Sequence, residues 1–386
     1  MRDRGTNTAN APALHITHVV RQFYPGIGGM EECVLQLARH QIAAGHQVRV
    51  VTLDTIFDAD FDAERHTLPH LDTHSGIEIR RVPWRGSKRY PLAPGVLRAL
   101  GTPDLIHVHG VDFICDYLAL TQSIHGRPLV LSTHGGFFHT EFASRLKLLY
   151  FRSITRMLLP RYAAVAASSQ SDLQRFSQIR RHNLELIENG VTIDKFRGLA
   201  KRDAHTILYF GRLAPNKGLA ALVTWFAALV AANPDWRLIL AGRPMGVTTD
   251  ALQTQATALG IANRVEVIDT PSDAEIAALI ARSSVYASAS TYEGFGLAAI
   301  EGASAHLYPL LNDIPPFRRT VEGLGFGRIV DFTDPTSARD FARDWPHASI
   351  PAGAAIDALV TGKFGWRRHV DAFEALYRRV LARPRS

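Results

Sequence analysis

The chain has 386 residues, which at roughly 150 residues per domain argues for two domains. Hydrophobic residues at 46% and charged residues at 20% are ordinary globular usage and exclude a disordered chain. Two cysteines, Cys33 and Cys115, exclude a disulfide scaffold and fit a reduced, cytoplasmic setting. The net charge of +7 allows an anionic partner without naming one.

Met1 to Ala13 is polar and lacks the apolar core that a signal peptide needs. Short apolar runs then predict strands at Leu14–Val20, Gln47–Leu53, Leu105–His109, Leu129–Thr133 and Ala163–Ala167. A second series follows at Thr206–Phe210, Arg237–Ala241, Val265–Ile268, Val285–Ser288 and Pro309–Leu311. Helical periodicity marks Glu31–Ala44, Leu219–Ala232, Ala251–Leu259 and Asp273–Ala281, and an amphipathic helix closes the chain over Trp366–Ala382. The apolar run Gly218–Pro234, seventeen residues without a charge, reads as a helix buried against a sheet, at the short limit for crossing a bilayer. Alternation of this kind gives an α/β fold with parallel sheets, here two doubly wound Rossmann-like domains facing a central cleft. Their expected limits are residues 1–190 and 205–365, joined by a linker at 191–204, with residues 366–386 packing back on the first domain.

Three loops carry chemistry. Gly28, Gly29 and Glu31 lie where the first strand turns into the first helix, and glycines there let a ligand approach the backbone. Glu31 occupies the place of the third glycine of a dinucleotide fingerprint. Asp54, at the end of the second strand, keeps an NAD-dependent oxidoreductase open as an outside alternative. In the second half, Arg212 and Lys217 follow a strand at the sheet edge where ligands bind, and an arginine fork with a lysine point charge suits a diphosphate. The third loop holds Glu293, Gly294, Phe295, Gly296 and Leu297, with Glu301 in the helix that follows. Backbone N–H groups at that helix start can hold phosphate oxygens. Glu301 can accept from ribose hydroxyls and Glu293 can reach a sugar ring. Two acids beside an anion site make sense for a ligand with phosphates in the middle and hydroxyls at both ends, a nucleotide sugar.

These three motifs, with Asn189-Gly190-Val191, Asp194 and Phe196, resemble the retaining family-4 glycosyltransferases of the GT-B fold across nearly the whole chain. The segments Thr133–Thr140 and Leu310–Arg319 are similar to the mannosyltransferases of acetan and xanthan assembly. The resemblance implies mannose transfer from GDP-mannose to a cellobiosyl-diphosphopolyprenol, α-1,3 linked, in exopolysaccharide synthesis. It also implies no metal and no cofactor. By the same resemblance His134 lies at the reacting sugar and Ser168 in the cleft. Gly28, Gly29 and Glu31 then stand on the acceptor side, and Arg212 and Lys217 on the diphosphate. A family-4 enzyme with another donor and a nucleotide-sugar epimerase of the same fold stay as alternatives. The wider family has a glycine-containing run where this chain reads Ser304-Ala305-His306-Leu307-Tyr308.

Other clusters point elsewhere. His107 and His109 on one strand, with His134 and His139, invite a metal, but zinc needs three or four convergent ligands and most of these histidines read as ordinary. Asp58, Asp60 and Asp62 have a divalent-ion pattern but fall in a long acidic loop. Arg145, Lys147, Arg152 and Arg156 interleave with leucines, aromatics, Ile154 and Met157, without an acid between Phe142 and Tyr162. Such a helix suits the surface of an anionic bilayer. The expected setting is therefore the cytoplasm, peripherally on the inner membrane face, with nucleic acid excluded as a partner.

Overall fold

The computed structural model describes residues 12–26, 28–57, 67–88, 90–135 and 148–383. The chain divides into two compact units, one of residues up to Asn189 plus those from His369 onward, the other Gly190–Arg368.

The first unit holds strands β1 (His15–Val20), β2 (Gln47–Leu53), β3 (Leu71–His74), β4 (Ile77–Val82), β5 (Arg85–Ser87) and β6 (Tyr90–Leu92). It continues with β7 (Leu105–His109), β8 (Leu129–Ser132), β9 (Ala164–Ala167) and β10 (Leu184–Leu186). One sheet runs in the order β10-β9-β8-β7-β1-β2-β4-β3, and β5 pairs with β6 as a separate hairpin. Every ladder in the large sheet is parallel except the edge pair β3–β4. Strands β7, β8 and β9 are buried along their whole length, because helices cover both faces of a parallel sheet. On one face Phe373, Leu376, Tyr377 and Val380 of the terminal helix Trp366–Leu381 pack with Ile16, Leu105, Val130 and Ala166. Each such side chain, fully buried, contributes about 1.5–3 kcal/mol.

The second unit holds β11 (Thr206–Phe210), β12 (Arg237–Gly242), β13 (Val265–Asp269), β14 (Val285–Ser288), β15 (Tyr308–Asn312) and β16 (Arg328–Val330), ordered β13-β12-β11-β14-β15-β16. All its ladders are parallel. The apolar helix Leu219–Ala232 buries Leu222, Val223, Trp225, Phe226 and Leu229 in the core of this unit.

The α/β, doubly wound architecture agrees with the reading of the sequence, and the strands expected there occur within a residue or so of their predicted ends. Two expectations need correction. Residues 191–204 are not a free linker: Val191, Ile193 and Phe196 are buried in the cores of the second unit. Six strands among the described residues also escaped the pattern: β3, β4, β5, β6, β10 and β16. Of these, β4 is the clearest, since Ile77 and Ile79 alternate with polar residues and both are fully buried. Its hairpin with β3 turns through Ser75 (φ 52°) and Gly76 (φ 78°), the positive-φ pair that a two-residue turn needs.

Candidate active site

Ligands of open parallel sheets bind at the carboxyl ends of the strands where the winding reverses. In the second unit that point is β11 and β14, which pair directly through Ile207–Val285 and Leu208–Tyr286. The loops that leave these two strands therefore emerge side by side. After β11, Gly211 and Gly218 take positive φ values of 150° and 64°. Gly218 has no room for a side chain, since a Cβ would lie 2.1 Å from the Ala289 carbonyl oxygen. The loops are laced together: Thr291 N–H donates to the Asn216 carbonyl at 2.9 Å, and Asn216 Nδ2 donates to the Tyr292 carbonyl at 3.3 Å.

This lacing brings Lys217 to Glu293. Lys217 Nζ donates to Glu293 Oε1 at 2.5 Å, and Ser290 Oγ donates to the same oxygen at 2.9 Å. The two charged side chains are only 12% and 17% exposed, so the pair is shielded from the screening that weakens surface ion pairs. Arg212 is exposed, and its carbonyl accepts from Tyr209 Oη at 2.7 Å. Burial pushes the Tyr209 phenol upward, the Glu293 charge adds to this, and Arg212 opposes it. Gly296, in the left-handed region at φ 85°, caps the helix Leu297–Ser304. Phe295 and Leu297 lean on the core, beside the half-buried Gly294, and Glu301 lies in the second turn of that helix. The structure thus places Arg212, Lys217, Glu293, Gly294, Phe295, Gly296, Leu297 and Glu301 on two adjoining loops and the helix they feed.

In the first unit, Gly28 caps the helix Gly29–Ala43. A Cβ at Gly28 would lie 2.3 Å from Glu31 Oε2, so the glycine makes room for that carboxylate to fold back over the helix start. Burial raises the Glu31 pKa, against its own backbone N–H and the Arg21 charge. Ser168 is buried and donates to Asp172 Oδ2 at 3.0 Å, as does Thr133 Oγ1 at 2.6 Å. His134 follows β8 with a positive φ of 48°, a conformation uncommon outside glycine and one that clusters at functional sites.

The ring of His134 meets His109, weighed in the sequence only as part of a metal reading, and through it His18, which the sequence gave no reason to single out. Its Nε2 lies 2.9 Å from His109 Nδ1, and His109 Nε2 lies 2.9 Å from His18 Nδ1. The cause is register, because His18 faces His107 across the β1–β7 ladder and His109 is two residues on, on the same face. Burial pushes His134 down to about 3 and His18 to about 4, and lowers His107 and His109 well below the usual imidazole range. His18, His107 and His109 bring ligand atoms within 4.8 Å of one another, the spacing of a metal site. Each of their ring nitrogens, however, already has a hydrogen-bond partner within the protein.

Along 148–158, Leu149 and Met157 are 64% and 65% exposed, next to exposed Arg152 and Arg156. Phe151 and Leu158 turn into the core of the first unit. Arg145 and Lys147 lie outside the described residues, as do Asp58, Asp60, Asp62 and His139.

Two doubly wound sheets, with a cation and a carboxylate joined at the switch point of the second, are the architecture of a ligand-binding α/β protein. Residues 27–195 match "Glycosyltransferase Family 4" and residues 191–346 match "Glycosyl transferases group 1". A GDP-mannose:cellobiosyl-diphosphopolyprenol α-mannosyltransferase of Xanthomonas campestris is 40% identical over 97% of this chain and 99% of its own. The enzyme of the same name from Komagataeibacter xylinus is 39% identical over 96% of this chain and 94% of its own. The chain belongs to glycosyltransferase family 4. Its fold is GT-B: the structure of Anabaena HepE in complex with UDP and glucose superposes with a TM-score of 0.70 at 21% identity, covering 95% of this chain and all of that one.

Proposed function

We propose that the protein transfers mannose from GDP-mannose to a polyprenyl-diphosphate-linked cellobiosyl acceptor, forming an α-1,3 bond with retention at the anomeric carbon. The observation that carries this reading is 40% identity along nearly the full chain to a mannosyltransferase of that name. In it, the second unit holds the donor. Arg212 and Lys217 neutralise the diphosphate, the start of the helix at Leu297 receives phosphate oxygens, Glu301 accepts from the ribose, and Glu293 positions the mannose. As the anomeric C–O bond breaks, its electron pair goes to the diphosphate, and fixed cations there stabilise the growing charge. The acceptor hydroxyl attacks from the same face and its proton passes to the departing diphosphate, so GDP leaves protonated and configuration is kept. His134, Ser168, Gly28, Gly29 and Glu31 of the first unit serve the acceptor and the reacting sugar.

Exposed Leu149 and Met157 beside Arg152 and Arg156 support peripheral contact with an anionic membrane surface, where a lipid-linked acceptor is presented. The test of the reaction is radiolabelled GDP-mannose with cellobiosyl-diphosphopolyprenol. Label moving to the lipid phase, with UDP-glucose inert, is the expected result. Transfer from UDP-glucose but not from GDP-mannose, or release of free sugar alone, overturns it.

A further inference from the structure

The buried polar groups around His134 form a hydrogen-bonded chain whose direction follows from the orientation of the Gln41 amide, its Oε1 toward His18 and its Nε2 toward Tyr377. Gln41 Nε2 donates to Tyr377 Oη at 3.4 Å. An amide nitrogen only donates, so the Tyr377 hydroxyl accepts there and its own proton is available to His107 Nδ1 at 2.6 Å. With that proton on its Nδ1 side, neutral His107 carries its own on Nε2 and donates to Ser132 Oγ at 2.7 Å. In the other direction Gln41 Oε1 only accepts, so His18 carries its proton on Nε2, 2.8 Å away. His18 Nδ1 is then bare and accepts from His109 Nε2; His109 Nδ1 is bare in turn and accepts from His134 Nε2. Every link obeys the donor and acceptor rules with all four imidazoles neutral, the state that their burial imposes.

We propose that His18, Gln41, His109 and Tyr377 are positioning residues that hold His134 as the Nε2–H tautomer, leaving its Nδ1 as the hydrogen-bond acceptor offered to the reacting groups. The chain runs from the terminal helix through the helix Gly29–Ala43 and strands β1 and β7 to the loop after β8. A histidine whose proton sits on the wrong nitrogen presents a donor where an acceptor is needed. The partner of the second nitrogen sets which one is offered. The proposal rests on the reading that His134 meets the reacting sugar.

The test uses the full-length enzyme labelled with ¹⁵N in histidine, since protonated and bare ring nitrogens differ widely in shift. The wild type should show His134 with Nε2 protonated and Nδ1 bare. Tyr377→Phe frees the Gln41 amide to turn over, and His109→Leu removes the acceptor itself. Both should give averaged His134 signals and a kcat lower by about 10- to 100-fold, with KM for GDP-mannose unchanged. His109→Asn can keep an oxygen facing His134 and should retain the single tautomer and most of kcat. A wild-type His134 protonated on Nδ1, or a tautomer unmoved in both Tyr377→Phe and His109→Leu, overturns the proposal. Normal turnover in His134→Ala would overturn the catalytic reading of His134 instead, and the ¹⁵N signals would still decide the chain.

Discussion

Lys217 and Glu293 are 76 residues apart in the chain and meet at 2.5 Å. Parallel pairing of β11 with β14 puts the ends of the two strands next to each other, and the loops that follow have no other direction to take. The ion pair sets a carboxylate beside the expected seat of a diphosphate, with Lys217 shared between them. A lone carboxylate there would repel the donor.

Lys217→Ala and Glu293→Ala should each lower transfer by about 100-fold or more while the far-ultraviolet circular dichroism stays that of the wild type. Glu293→Ala should lower kcat more than donor affinity, because Glu293 acts on the sugar; Lys217→Ala should weaken GDP binding as well. Near-normal turnover in either variant would remove these residues from the active site.

Gly218 tests the loop itself. Alanine there would hold a left-handed conformation and press its Cβ to within 2.1 Å of the Ala289 carbonyl oxygen. The backbone must shift, at a cost of about 1–3 kcal/mol. Thermal unfolding should therefore begin several degrees lower in Gly218→Ala, and GDP should lose its stabilising effect. An unchanged melting curve that still responds to GDP would contradict the close approach.

Acid should weaken the first unit early. Folding lowers the pKa of His18 to about 4, as it does for His369, and of His134 to about 3. Below the ordinary value near 6.5 the unfolded chain takes up protons that the folded chain refuses. Stability is thus fully present above pH 6.5 and falls as pH drops toward 4, by up to about 1.4 kcal/mol per pH unit for each histidine. Chemical denaturation at pH 7.5, 6 and 5 should show the midpoint falling; a midpoint constant over that range would mean the imidazoles titrate normally.

Membrane contact through 148–158 predicts that Arg152→Glu with Arg156→Glu reduces co-sedimentation with vesicles containing anionic lipid. Met157→Glu should do the same in neutral vesicles. Because these side chains are exposed, the melting temperature should hold. Equal binding by wild type and variants would place any membrane contact elsewhere.

Much of the fold was legible because strands buried on both faces read as unbroken apolar runs. The strands toward the margin of the first sheet were not: β4, paired between β2 and β3, presents Arg80 and Arg81 in its sequence. Only the structure shows Arg81 fully buried, bonded to Asp72 and to the carbonyls of Pro69 and Tyr24. The hairpin signal, Ser75-Gly76 between alternating residues, was available for it. Arg212, Lys217 and Glu293 were legible as candidates because glycine loops and paired charges follow strands. His18, Gln41 and Tyr377 were not, since a histidine in an apolar strand looks like any other buried residue until its cross-strand neighbour is known.

By itself, the sequence determined two alternating α/β halves, a family, and the residue types proposed for a diphosphate, because these depend on local order: strand, glycine turn, helix. Tertiary structure decided what is non-local. Parallel pairing joined Lys217 to Glu293, drew residues 191–204 into the second unit, and set His18 beside His107 in register. It also carried Tyr377, near the end of the chain, against the strands near its start. Strand order and helix packing choose such neighbours, and no spacing along the chain records them.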